Sequence, residues 1–157
     1  MAIKLSRAGK PAEQMDTKLL SKREGFTQQY RGLLSIGKAA LALGISIDTL
    51  LSESAAKGIE AAPYVLARCD GGYTTNLPLA DVTGGKAWIA FMYNGAPLPP
   101  EHGGPARLLV PHLYFWKSAK WVRELALLES DMPGFWESLG YHNYGDPWRE
   151  QRYAGDE

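Results

Sequence analysis

The amino-acid sequence predicts two unlike parts: a helical segment over residues 1–43 and a domain built mainly from strands over residues 44–157. In residues 15–34 apolar side chains recur at three- and four-residue spacing with Lys and Arg between them, as in an amphipathic helix. From residue 64 onward, short β-prone runs end at Gly, Pro or Asn-Gly turn signals. Only two of the 17 aromatic residues precede residue 48, so the second part carries the material for an aromatic core.

Length and composition match one ordinary globular domain. The chain has 157 residues, of which 45% are hydrophobic and 22% charged, as in typical domains. Seventeen basic residues balance seventeen acidic ones, so we expect neither nucleic acid nor a membrane as a partner. Residues 1–47 nevertheless hold eight Lys or Arg against three Asp or Glu. A solvated polar face explains this basic segment most simply, and docking to an acidic partner is the alternative.

Local signals place the elements of the second part in order. Ser46 and Asp48 offer an N-cap to a short helix that ends by Gly58. Strands are predicted over residues 64–67, 87–93 and 107–110, each closed by a turn signal. Beyond residue 128 the chain is rich in Gly, Pro, Trp and Tyr without periodicity, so we expect ordered loops that pack aromatic rings over the sheet.

A single cysteine, Cys69, excludes an internal disulfide, and no Cys and His cluster has zinc spacing. Asp70 beside it would not stabilise a thiolate, so a buried, inert thiol is expected. The N-terminus has no signal-peptide pattern and no run reaches 18 apolar residues. From these features we expect a reducing, cytoplasmic location.

Residues 99–121 place three cations, Arg107, Lys117 and Lys120, among apolar and aromatic neighbours. A desolvated positive charge costs several kcal/mol unless an anion pairs with it, and few acidic residues lie nearby in the sequence. Gly103 and Gly104 add backbone amides that a phosphate can approach closely. The segment therefore predicts an anion site, with lysines that snorkel to water over Trp rings as the alternative.

A second group of residues follows Cys69. In residues 70–79 a glycine turn delivers Tyr73 and two threonines into an extended segment. A tyrosine at such a rim can donate a hydrogen bond to an oxyanion or an oxo group. A hairpin with Tyr73 packed on the core is the alternative.

Taken together, these segments resemble the oxidoreductase molybdopterin-binding domain of the sulfite oxidase family, especially its compact bacterial members. The similarity covers about residues 44–153. Three motifs occur in the family's order and spacing: DGGYTTNLPL at 70–79, NGAPLPPEHGGPARLLVP at 94–111 and YFWKSAKWV at 114–122. A fourth, GFWESLGYHNYGDPWREQRY at 134–153, is similar to the C-terminus of the compact members.

The resemblance implies an α+β fold with a mixed, mainly β core, preceded here by the helical segment, which has no counterpart in the family. It implies a molybdenum cofactor whose pterin and phosphate are held by His102, Arg107, Lys117 and Lys120, with Tyr73 as the active-site tyrosine. The expected activity is oxygen-atom transfer on a small oxo-substrate, with electrons passing to a separate carrier. Independently of the resemblance, the aromatic tail offers apolar surface for a homodimer, which we also expect.

This chain departs from the family at the metal. Family members bind molybdenum through a Cys thiolate in a motif of the type His/Arg-Cys-x-Thr-x-Trp-Ser, whereas residues 1–43 contain neither Cys nor Trp. Cys69 aligns with a different family position, so no metal ligand is assigned. The alternative function is therefore a non-catalytic relic with a truncated domain, metal-free or without cofactor, which retains at most a pterin-phosphate pocket.

Overall fold

The computed structural model describes residues 2–4, 42–56 and 62–157. The helix predicted within residues 1–43 lies almost entirely outside these ranges, so it stays a prediction. Within residues 1–43, Ala2–Lys4 forms a strand, β1. A second strand, β2 at Ala42–Ser46, begins at the end of the same segment. No helix in the described part has the length and apolar character of a membrane span.

The described strands form two antiparallel sheets of four strands each. The first sheet has the order β1-β8-β3-β4, with β3 at Tyr64–Cys69, β4 at Thr74–Pro78 and β8 at Val122–Leu128. In the second sheet β5, Trp88–Tyr93, pairs with β2, with β6 at Ala96–Pro97 and with β7 at Arg107–Leu109.

Two tight turns join neighbouring strands where the sequence predicts them. Asn94 and Gly95 both have positive φ angles, 49° and 78°, between β5 and β6, as the right-handed twist of a short hairpin favours. Gly71 and Gly72, at φ 76° and 83°, turn the chain from β3 into β4. This second turn leaves Tyr73 immediately before β4.

The predicted short helix is α1, Ile47–Ala55. The Ser46 hydroxyl accepts a hydrogen bond from the Thr49 backbone N–H at 3.1 Å, the N-cap arrangement that satisfies a free amide of the first turn. Two further helices are single turns, α2 at Leu79–Val82 and α3 at Phe135–Ser138.

One core joins the two sheets and α1. It includes Val65, Leu77 and Leu125 from the first sheet and Ile89 and Leu108 from the second, each at most 4% exposed. Residues 129–157 lie mostly in loops. Three of their rings, Tyr141, Trp136 and Phe135, extend a chain of ring contacts that begins at Tyr114 and Trp116.

The architecture confirms the predicted mainly β core with few helices. The three predicted strands are present as β3, β5 and β7. The resemblance implied a mixed arrangement of strands, whereas the described strands all pair antiparallel and form two sheets. The central strand β8 was not predicted, because its charged Arg123 and Glu124 interrupt the apolar pattern.

Candidate functional site

Two of the predicted cations face one cavity of about 200 Å3, here called the aromatic cleft. Arg107 enters it from the start of β7, and Lys120 enters from the loop before β8. The remaining lining is mostly aromatic: Tyr73, Phe115, Trp116, Ser118, Ala119, Trp121 and Trp136.

Arg107 lies in the wall between the aromatic cleft and a second cavity of about 300 Å3, the apolar pocket, lined by Ala90, Met92, Tyr93, Leu98, His102 and Leu109. One Arg107 nitrogen, Nη1, donates to the His102 carbonyl at 3.2 Å. Its Nε is buried without a hydrogen-bond partner among the described residues, and burial lowers the pKa of the guanidinium. Arg107 lines both cavities, so its positive charge would favour an anion in either one.

Lys120 is held at the mouth of the aromatic cleft by its surroundings. Its Nζ donates to the Glu101 carbonyl at 2.9 Å and lies 5.6 Å from the centre of the Trp121 ring. Gly103, at φ 102°, packs so closely that an added Cβ would lie 2.8 Å from Lys120 Cγ. In the part of the chain that the structure describes, neither Lys120 nor Arg107 has a carboxylate within salt-bridge distance.

Lys117 lies elsewhere, fully buried behind the cleft. Its Nζ is 2.6 Å from Glu137 Oε1, and both side chains are 1% exposed. The ammonium also donates to the backbone carbonyls of Asn76 and Asn143 at 2.9 and 2.7 Å. Burial lowers the pKa of Lys117, and the Glu137 carboxylate opposes that shift.

The structure corrects the electrostatic argument for Lys117. The prediction assumed that no acidic residue of the chain neutralises Lys117, because few acidic residues lie near the segment in the sequence. The neutralising carboxylate is Glu137, twenty residues downstream, which α3 brings back against the cleft. A contact between Lys117 and the cofactor thus stays a prediction. The charge of Lys117 no longer supports it, because Glu137 already neutralises that charge.

Tyr73 lines the aromatic cleft, but its hydroxyl proton is already engaged. The hydroxyl donates to the Trp116 carbonyl at 2.5 Å. Burial, and next the Glu137 charge, raise the pKa of the phenol well above its usual value. A phenol has one proton to donate, so the predicted bond from Tyr73 to a substrate requires this internal bond to open.

His102 ends a 3-10 turn, Pro100–His102, with its side chain exposed at the apolar pocket. It is thus near Arg107 but not among the residues that line the aromatic cleft. Of the five predicted site residues, the structure brings Tyr73, Arg107 and Lys120 together. Sequence reasoning did not assign the cleft's Trp121 and Trp136, whose only signal was their position beside the basic and glycine motifs.

Side chains that could ligate a metal are scattered in the described part of the chain. The described residues contain no group of three or more His, Cys, Asp or Glu that could hold an ion. Cys69 is buried at the end of β3, where burial, with a smaller effect of Asp70, raises the pKa of its thiol to about 12. A thiol with this pKa is protonated at neutral pH, whereas a thiolate is the metal ligand.

Comparisons with known proteins agree with the fold and with the resemblance. The family described as "Oxidoreductase molybdopterin binding domain" matches residues 20–136, a range that begins within the segment we assigned to a separate helix. A crystal structure of the sulfane dehydrogenase SoxCD from Paracoccus pantotrophus superposes with a TM-score of 0.52 and 29% identity, over 58% of this chain and 23% of that one.

Two relatives show the same affiliation at the level of sequence. An uncharacterized oxidoreductase, YuiH of Bacillus subtilis, is 52% identical over 97 residues, which cover 62% of this chain and 49% of YuiH. Sulfite oxidase of Gallus gallus is 33% identical over 67 residues, covering 43% of this chain and 14% of the enzyme. This chain thus covers about half the length of YuiH and 14% of the length of the sulfite oxidase. It belongs to the oxidoreductase molybdopterin-binding domain family, of the sulfite oxidase type.

Proposed function

We propose that this chain binds the pterin phosphate of a molybdenum cofactor in the aromatic cleft, as the cofactor-binding part of an oxidoreductase that transfers oxygen atoms. The observation that carries the proposal is the pair Arg107 and Lys120, two cations that face one cleft without a carboxylate partner among the described residues. A phosphate supplies the missing negative charge and accepts charge-assisted hydrogen bonds from both. The family supports the identity of the anion.

Each predicted residue has a part in the proposal. Arg107 supplies a guanidinium charge to the anion from the wall of the cleft, and Lys120 supplies an ammonium charge from the same cleft. His102 contacts the cofactor from the apolar pocket. Lys117 acts from behind the cleft, because its bonds to Glu137, Asn76 and Asn143 hold the turn that carries Trp116.

Tyr73 orients the substrate. Its hydroxyl lies in the cleft wall, where it exchanges its bond with the Trp116 carbonyl for one with a small oxo-substrate. When bound, the cofactor supplies the redox-active molybdenum for oxygen-atom transfer. The remaining chemistry on this chain is positional, because the cations hold the pterin and the aromatic wall excludes water.

The residues present fit the pterin phosphate better than they fit the metal. Cys69 is buried in a strand with its thiol protonated, and residues 1–43 contain no cysteine. This observation favours a second candidate function, a non-catalytic module that binds the pterin phosphate with the metal under-occupied or absent.

Cofactor analysis tests the proposal. The chain is purified from cells with intact cofactor biosynthesis, its pterin is converted to a fluorescent oxidised derivative and quantified, and its molybdenum is measured by elemental analysis. We expect stoichiometric pterin, with loss of most of it in Arg107→Met and in Lys120→Ala. A chain without pterin, or full retention in both variants, would refute the binding site.

Lys86→Ala is the matched control. Like Lys120, Lys86 is a lysine whose Nζ donates to a backbone carbonyl, that of Ala80 at 2.8 Å, but it does not line the cleft. We expect its variant to retain pterin as the wild type does. One molybdenum per chain would decide for the oxidoreductase and against the metal-poor binding module, and pterin with substoichiometric molybdenum would decide the reverse.

Partners and location are further parts of the proposal. The family's chemistry calls for a small oxo-substrate and a separate electron carrier, and the exposed Phe115, Leu139 and Trp148 support a homodimer. The single cysteine supports a reducing, cytoplasmic location. Sedimentation velocity tests the dimer, and cell fractionation tests the location.

A further inference from the structure

Trp121 has a backbone conformation that is costly for a bulky residue. Its φ is +54°, in the left-handed region that side chains with a Cβ disfavour and that glycine adopts freely. Two hydrogen bonds maintain it, from the Trp121 N–H to the Gly103 carbonyl at 3.1 Å and from the Asp70 N–H to the Trp121 carbonyl at 3.0 Å. A glycine here would meet the same backbone demands without the steric cost, so they do not explain the tryptophan.

The Trp121 side chain contributes little to the core. The residue is 39% exposed, and it lines the aromatic cleft. Its Nε1 donates to the Pro100 carbonyl at 2.7 Å, which fixes the orientation of the indole. A large ring held in a set orientation, partly open to solvent and beside a cavity, is poised to contact a ligand.

The neighbours of the indole define the ligand's chemistry. Lys120 Nζ lies 5.6 Å from the ring centre, and the Arg107 guanidinium faces the same cleft. The cleft therefore combines a fixed aromatic surface with two cations. A flat heteroaromatic ring that carries an anionic group matches both features, since the ring stacks on the indole while the anion meets the cations.

We propose that Trp121 is a ligand-binding residue that stacks on the planar ring of the bound group and thereby selects flat heterocyclic anions over other anions. This inference rests on the proposed function, which assigns the anion to Arg107 and Lys120 but gives Trp121 no role. The left-handed backbone conformation costs free energy for a residue with a Cβ, and it places the indole at this point of the loop.

The test compares ligand affinity with stability in variants at one position. Pterin-6-carboxylate, a flat anionic heterocycle, serves as the probe, and its binding to the full chain is measured by equilibrium dialysis. We expect Trp121→Gly to weaken binding at least about tenfold, the lower range for loss of an aromatic stacking partner. Its melting temperature should stay close to that of the wild type, because relief of the left-handed backbone cost offsets the lost bond to the Pro100 carbonyl and the lost indole packing. Trp121→Phe, which retains a ring, should bind within about threefold of the wild type.

Two comparisons separate stacking from charge and from a merely structural role. Trp148→Ala removes a tryptophan that is 90% exposed and does not line the cleft, so its affinity should not change. Added salt should weaken binding by wild type and Trp121→Gly in the same proportion, because stacking is not screened, whereas Lys120→Ala should lose part of its salt dependence.

Each outcome decides the inference. Wild-type affinity in Trp121→Gly, with weakened binding in Lys120→Ala, would overturn the stacking role and leave the proposed function standing. An equal loss of affinity in Trp121→Phe and Trp121→Gly would also overturn the stacking role. A lowered melting temperature in both Trp121→Gly and Trp121→Asn would overturn it as well, because asparagine is a second residue type that tolerates this φ. A wild-type chain that neither binds the probe nor retains pterin would refute the inference and the proposed function together.

Discussion

Removing the Lys117 charge should sharply destabilise the fold. Lys117→Met preserves most of the side-chain volume but leaves the Glu137 carboxylate buried and unpaired. Breaking one side of such a pair costs about 3–5 kcal/mol. With about 2–4 °C per kcal/mol for a domain of this size, the melting temperature should fall by roughly 6–20 °C.

The magnitude follows from how completely the ammonium is bonded. Both side chains of the pair are 1% exposed, and Nζ is shared among Glu137 and the carbonyls of Asn76 and Asn143. Water cannot replace these bonds at a buried site without opening the structure. Lys86→Met is the control, because Lys86 is exposed and its Nζ donates to the Ala80 carbonyl. The stability of this variant should change by less than about 0.5 kcal/mol.

Urea unfolding followed by far-ultraviolet circular dichroism measures these free energies. Lys117→Met with Glu137→Leu removes both charges, so it should recover at least about 2 kcal/mol relative to Lys117→Met alone. A Lys117→Met variant within about 1 kcal/mol of the wild type would refute the buried pair. So would a double variant no more stable than Lys117→Met.

Three further predictions concern the cleft and the cysteine. At pH 8 the Cys69 thiol, with its pKa raised to about 12 from 9.0, should react with iodoacetamide at least about tenfold more slowly in the native chain than in urea, because less thiolate is present and the side chain is buried; comparable rates would contradict its burial. Arg107→Met removes a buried donor without a partner among the described residues, so the free energy of unfolding should rise by about 1 kcal/mol while pterin retention falls; a less stable variant would contradict this account. Gly103→Ala places a Cβ at φ 102° and 2.8 Å from Lys120 Cγ, so it should cost about 1–2 kcal/mol and reduce pterin retention; wild-type stability would contradict the close packing.

Local signals in the sequence were enough to predict much of the fold. The Ser46 cap, the Asn94-Gly95 turn and the β-prone runs depend on residues within a few positions of one another, so their structure could be deduced from the chain alone. Strand β8 was not deduced, because Arg123 and Glu124 interrupt its apolar pattern. Their polar partners, Asp70 and Arg68, lie more than fifty residues away in the chain.

The candidate site also has one part that the sequence predicts and one part that depends on tertiary contacts. The sequence by itself determined the family motifs, and it predicted an anion site from residue types that include Arg107 and Lys120. Only the tertiary structure decided which cations remain available to a ligand, because the charge of Lys117 is neutralised by Glu137 through a contact that no local pattern announces. Electrostatic partnership depends on distance in space, and the packing of the C-terminal loops against the sheets sets that distance.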